Sequence, residues 1–351
     1  MVRRIIKGAG RRQRVKFNRE KNFVILRNIS KSNLEDLLQL TNVIAEIEQD
    51  VKLELNTEYC REYTLPNNAN RRGLWGLNTL DGNLHNSKYR IWGDGEEIDV
   101  YVADTGINPN HKDFTGRVTI GWPTSTSVDD DGHGTQVASI IGGINCGVAK
   151  RANIISLKIC SNGQCTISNI LNGCLWVKQT VQSNGRLSVI NISLGAPFSS
   201  SLNDAVDDLL EAGIPAISSA GNSNKDACAR SPASTPNALT VGAFNDDFAK
   251  ASFSNYGPCV DLFAPGKSIK VADFSGNNRY TTKSGTSMAA PFVTGAVAAL
   301  LQVLRDNGTI SSPSAQVVNY ANEYIIQYTL AGQLTGVNGT NLALSTPCLD
   351  N

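Results

Sequence analysis

Beyond residue 74 the chain alternates between short unbroken apolar runs and stretches with helical spacing. The runs at 98–103, 154–159, 187–192, 214–219 and 239–243 have strand length and are rich in Val and Ile. A strand with one wet face alternates apolar and polar residues, so an unbroken run predicts a strand covered on both faces. Between these runs, 135–141, 167–181 and 201–210 carry helical patterns, and 292–304 is apolar enough to read as a buried helix. Strands and helices in this order predict an α/β fold with a mostly parallel central sheet. No internal repeat is evident.

The first part of the chain reads differently. Residues 23–26 have the character of a strand, 32–40 have helical spacing with Ser32 as cap and Glu35 three residues on, and 43–50 read as a second strand. That is a small α+β unit. Residues 57–73 are polar and Asn-rich, contain Pro66 and show no periodicity, which predicts a linker. The expected division is therefore 1–56, a 57–73 linker, and one large domain over 74–351.

Composition narrows the function classes. Of 351 residues 41% are hydrophobic, enough for a large core, and the net charge of +1 implies no nucleic acid as partner of the whole chain. No run of eighteen apolar residues suggests a membrane span. Residues 1–21 are basic, but Ile5-Ile6 is too short an apolar stretch for a secretion signal. The eight cysteines fit an oxidising compartment better than the cytosol, and none forms a Cys-x-x-Cys pair of the kind that binds zinc.

The chemistry sits in three short segments. Ser287 lies in Gly285-Thr286-Ser287-Met288-Ala289-Ala290-Pro291, where a turn of small residues meets the start of the apolar helix. His133 lies in Asp131-Gly132-His133-Gly134-Thr135, and Asp104 ends a predicted strand in Ala103-Asp104-Thr105-Gly106. A hydroxyl near neutral pH needs an imidazole to take its proton, and the imidazole needs a carboxylate to fix its tautomer. Taken singly, a Gly-Thr-Ser is a helix cap and an Asp-Thr-Gly is a turn; together and in this order they read as a triad. The rival serine-hydrolase elbow, Gly-x-Ser-x-Gly, does not occur around Ser287, which is followed by Met288-Ala289.

These segments, with Ser218-Ser219-Ala220-Gly221-Asn222, resemble the Asp, His, Ser and oxyanion motifs of the subtilisin-like serine peptidases. Ala220-Gly221-Asn222-Ser223-Asn224, Asn255-Tyr256-Gly257 and Trp75-Gly76-Leu77 resemble the proteinase K and aqualysin branch. The resemblance covers about residues 74–330. It implies a subtilisin-like three-layer fold and peptide hydrolysis by Ser287, His133 and Asp104, with Asn222 as oxyanion donor. It implies further that Ser193-Leu194-Gly195 pairs with an extended polypeptide substrate and that Ala220-Gly221 forms the other wall of an apolar slot without a fixed charge. That slot implies broad specificity with an apolar preference.

Other implications follow from the same resemblance. Asp261 with the carbonyls of Pro236 and Ala238 matches a structural calcium site, and no catalytic cofactor is called for. Cys228 and Cys259 match a disulfide pair. Residues 17–56 resemble the back half of an inhibitory propeptide, so the chain is expected to be a secreted, monomeric zymogen with its own propeptide as inhibitor. Gln136 stands where the family usually has His, and Asp130 and Asp131 occupy the place of a family cysteine, which leaves Cys160 without its usual partner. The alternative is a catalytically silent peptide-binding scaffold of the same fold.

Overall fold

The computed structural model describes residues 15–18, 23–26, 60–66, 73–82, 88–122, 128–161 and 163–348. The chain divides into two compact units, residues 1–54 and 55–351. In the first, Val15–Asn18 pairs antiparallel with Phe23–Leu26, Val15 lying opposite Leu26. The helix expected over 32–40 and the strand expected over 43–50 lie outside the described residues.

The second unit is built on a nine-stranded sheet. Its strands are β1 (Asp99–Asp104), β2 (Val118–Trp122), β3 (Asn153–Lys158), β4 (Ser188–Ile192), β5 (Ala216–Ser219), β6 (Leu239–Phe244), β7 (Leu262–Pro265), β8 (Leu330–Ala331) and β9 (Leu342–Ala343). They lie in the order β8-β9-β7-β6-β5-β4-β1-β3-β2. Every neighbouring pair is parallel except β8 with β9 at one edge. Among the described residues the helices of ten or more residues are α1 (His133–Gly142), α2 (Ile167–Asn184), α3 (Ser200–Glu211), α4 (Thr286–Asp306) and α5 (Ala315–Gln327).

The unbroken apolar strands have two buried faces because each serves a separate core. In β1, Val100 and Val102 join the cluster that contains α1 and α4, while Tyr101 and Ala103 join the one that contains α2 and α3. Successive residues of a strand point to opposite sides, so one apolar run feeds both layers. The result is the three-layer α/β arrangement expected. Helix α4 is long and apolar enough to cross a membrane, but 94% of its apolar window is buried inside the protein. It is the central helix of the core.

One expectation needs correcting. Arg61–Thr64, inside the segment read as a linker, is a strand paired antiparallel with Lys88–Ile91. Cys60 beside it is disulfide-bonded to Cys348 across 288 residues. This part of the segment is thus tied into the second unit. Cys228 is bonded to Cys259, and Cys160 finds Cys165, its neighbour across a two-residue ladder; Cys146 and Cys174 are buried thiols.

Candidate active site

Asp104 is the last residue of β1, at the carboxyl end of a parallel strand, where open α/β sheets hold their ligands. It is 2% exposed, and its Oδ1 accepts the N–H of Thr105 at 2.8 Å. His133 is the first residue of α1, and its Nδ1 lies 2.8 and 2.9 Å from the two Asp104 oxygens. Since a carboxylate only accepts, Nδ1 carries the proton and Nε2 presents its lone pair. Burial by itself would lower the His133 pKa. Asp104, by its charge and its hydrogen bond, then Asp131 and Asp129, outweigh that and raise it above its ordinary value of 6.5.

The first turn of α1 is held from outside. A helix leaves its first N–H groups without internal partners. Here His133 N–H donates to Asp131 Oδ1, Gly134 N–H to Thr105 Oγ1 and Thr135 N–H to Asp129 Oδ2, at 3.3, 2.9 and 3.0 Å. Asp129 is 6% exposed and also accepts from Thr105 Oγ1 and from Gly132 N–H, both at 2.8 Å. One buried carboxylate therefore clamps the residue after Asp104 to the turn that carries His133. Gly132, at φ +105°, has Phe274 where a Cβ would stand, at 2.3 Å. Asp129 and Thr105 were not singled out from sequence; a polar residue four before His133 gives no local sign of the contacts it makes.

Ser287 lies in the first turn of α4, and its Oγ donates to the Ser193 carbonyl at 3.1 Å. Pro291 sits inside this helix and has no N–H to give the Ser287 carbonyl four residues back. That carbonyl instead accepts from Ser193 Oγ at 3.3 Å. Ser193 is set in turn by Asn191, whose Nδ2 donates to Ser193 Oγ at 2.8 Å and whose Oδ1 accepts from Thr294 of α4 at 2.9 Å. Asn222 Oδ1 accepts the N–H and Oγ–H of Thr286 at 2.8 and 2.9 Å. With its oxygen so engaged, the amide of Asn222 keeps its two N–H donors for the cleft.

His133, Ser287 and Asn222 line one open cleft of about 380 Å³, with Asp131, Gln136 and Lys283. Asp104 lies behind His133. Ser287 and His133 thus share the cleft, with the serine hydroxyl turned toward Ser193. Gly195 ends the Ser193-Leu194-Gly195 segment, Ala220-Gly221 directly precedes Asn222, and Leu194 packs against the α2–α3 core. His111 is a structural residue: 1% exposed, with Nε2 donating to the Arg279 carbonyl and Nδ1 accepting from Asp113 N–H.

A sequence profile of the subtilase family matches residues 95–340. The chain belongs to the subtilase family. With membership comes its class, a subtilisin-like serine endopeptidase. An alkaline proteinase of Hapsidospora chrysogena is 37% identical over 306 residues, 81% of this chain and 76% of that protein. An extracellular serine proteinase of Thermus sp. (strain Rt41A) is 39% identical over 280 residues, 78% of this chain and 66% of that one. The crystal structure of a cold adapted subtilisin-like serine proteinase superposes with a TM-score of 0.71 at 37% identity, covering 80% of this subtilase and all of its relative.

The calcium ligands implied by sequence lie around β6. Asp261 Oδ2 accepts Thr240 N–H at 2.9 Å, and Asn237, between the carbonyls of Pro236 and Ala238, has φ +67°. Among the described residues no group of three or more His, Cys, Asp or Glu side chains is gathered for a metal. The donor set would be one carboxylate and backbone oxygens. Hard oxygen donors of this kind fit calcium and not a soft metal.

Proposed function

We propose that this subtilase hydrolyses polypeptides with Ser287 as nucleophile, His133 as its base, Asp104 as the orienting acid and Asn222 as oxyanion donor. The observation that carries this is the Asp104–His133 hydrogen-bond pair opening onto the cleft that Ser287 and Asn222 share. Rotation of the Ser287 hydroxyl away from Ser193 brings it toward His133 Nε2; such side-chain turns take picoseconds to nanoseconds. Oγ then attacks the carbonyl carbon as its proton passes to Nε2. The oxyanion takes N–H groups from Asn222 and from Ser287 itself, one of the first-turn donors that α4 cannot satisfy internally. Collapse expels the amine, which takes the proton from Nε2 and leaves an acyl-Ser287 ester. Water, deprotonated by the same nitrogen, releases the acid.

The substrate lies as an added strand along Ser193-Leu194-Gly195, with Ala220-Gly221 opposite. These small residues leave room for bulky apolar side chains, so specificity is broad with an apolar preference. When calcium is bound, Asp261 with the carbonyls of Pro236 and Ala238 would hold it as a structural ion. The three disulfides suit a secreted enzyme, which would act as a monomer. Residues 17–56 would serve as the zymogen's inhibitor.

A phosphonofluoridate probe with casein as substrate tests the reading. Wild type should be labelled at Ser287 and cleave casein, and Ser287→Ala should do neither. A folded wild type that binds peptides, stays unlabelled and leaves casein intact would instead be a silent scaffold.

A further inference from the structure

A cationic side chain lies beside Gly195. Arg230–Ser231 pairs antiparallel with Ala196–Pro197, which lays the Arg230 side chain along the substrate-pairing segment. Its Nη2 donates to the Gly195 carbonyl at 3.2 Å. Gly195 has no side chain, and the place a Cβ would take faces Arg230 Nη2 at 3.9 Å and Nε at 4.0 Å. Ser193, two residues back and so at most about 7 Å along the chain, exchanges hydrogen bonds with Ser287. The guanidinium therefore stands beside the space that would take the side chain next to the attacked carbonyl.

The charge is available to a substrate. Among the described residues Arg230 forms no ion pair, and a single hydrogen bond engages its five N–H donors. The nearest acid in sequence, Asp226, is committed elsewhere. Its Oδ1 accepts Cys228 N–H at 2.9 Å and abuts Gly257 at 2.7 Å from the place of a Cβ there. Nothing local in the sequence points to Arg230, which reaches Gly195 from 35 residues away.

We propose that Arg230 is a specificity-determining residue that makes this enzyme cleave after Glu in preference to Gln and disfavour Lys and Arg, alongside the apolar residues its small walls accept. The inference rests on the endopeptidase reading of the cleft. A guanidinium offers a planar fork of donors that matches a carboxylate, and it repels a cationic side chain in the same place. Gln has the shape of Glu without the charge, so the Glu:Gln ratio isolates the electrostatic part.

The test uses four peptides identical except for Leu, Glu, Gln or Lys at the position whose carbonyl is attacked. Their kcat/KM is measured in dilute buffer and in molar salt, for wild type, Arg230→Gln and Arg230→Glu, each checked for folding by circular dichroism. Wild type should show a Glu:Gln ratio of about ten in dilute buffer, shrinking in molar salt as the charges are screened. Arg230→Gln should bring the ratio to about one, and Arg230→Glu should favour Lys over Gln. A wild-type ratio near one with the Leu peptide cleaved, or a ratio untouched by Arg230→Gln, overturns the proposal and leaves the endopeptidase reading standing. Failure to cleave even the Leu peptide, with Ser287 unlabelled by the phosphonofluoridate, sinks both.

Discussion

At Gly134 the helix that carries His133 packs tightly against the end of the strand that carries Asp104 and the turn after it. A Cβ at Gly134 would lie 2.1 Å from the Gly106 carbonyl oxygen and 3.1 Å from Asp104 Cβ. The first of these is a backbone atom and cannot swing aside. Reaching the 3.4 Å edge of ordinary contact requires a separation of about 1.3 Å (3.4 minus 2.1) between α1 and the segment after β1. The His133–Asp104 bonds, now 2.8 and 2.9 Å, would open to about 4 Å, past hydrogen-bond range. Misplacing a catalytic group by 1 Å costs on the order of 10²-fold, and overpacking of this kind destabilises by about 1–3 kcal/mol. Gly134→Ala should therefore lower kcat/KM on a chromogenic peptide about a hundredfold and lower the urea midpoint. Because Asp104 raises the His133 pKa, the acid limb of the pH profile should also move to lower pH. A folded Gly134→Ala enzyme with kcat/KM within threefold of wild type and an unmoved acid limb would refute the reasoning.

The remaining expectations can be checked on the same preparations. Asn222→Ala should lower kcat by about 10²–10³ with KM nearly unchanged; a raised KM at constant kcat would contradict the oxyanion role. His133 must be neutral to act as base and its pKa is raised, so kcat/KM should fall tenfold per pH unit below a midpoint above 6.5, and Asp131→Asn should move that midpoint down. Stability runs the opposite way: the contribution of charged His133 is fully present below pH 6.5 and is lost as pH rises through its folded value. Removing the Cys228–Cys259 link, which closes a 31-residue span, should cost about 3–4 kcal/mol in a denaturant melt; an unchanged midpoint would show that the loop is held by other contacts. Chelation of calcium should lower Tm in the wild type and leave Asp261→Asn unmoved; equal shifts in both would place the ion elsewhere.

The layered core was legible because each strand of the sheet writes its two faces into consecutive residues. Val100 and Val102 serve one side and Tyr101 and Ala103 the other, so a run of strand length that never alternates fits a strand between two layers, as the longer apolar run at 292–304 fits a buried helix. The proposed catalytic residues were legible for a different reason: each stands at an element end, in a short stretch of glycines and small residues. What escaped was contact between distant segments. Arg61–Thr64 has no apolar run, and its strand exists because Lys88–Ile91 and Cys348 hold it. Arg230 looked like any polar loop residue until the Ala196–Pro197 ladder carried it to Gly195.

The places where local rules fail are concentrated around the cleft, and each failure has a use there. A proline inside α4 weakens the helix by one bond, yet it is the missing N–H of Pro291 that leaves the Ser287 carbonyl for Ser193. A carboxylate buried at Asp129 would be costly to desolvate alone, yet it is surrounded by N–H and O–H donors from Thr105, Gly132 and Thr135. A left-handed Gly132 before α1 forgoes a side-chain cap, and Asp131, Thr105 and Asp129 supply the caps from outside. Sequences that break such rules do so most readily where geometry has been chosen over stability. In this chain the exceptions converge on the turn before His133 and the turn around Ser287, which are the two turns that must meet for the proposed chemistry to run.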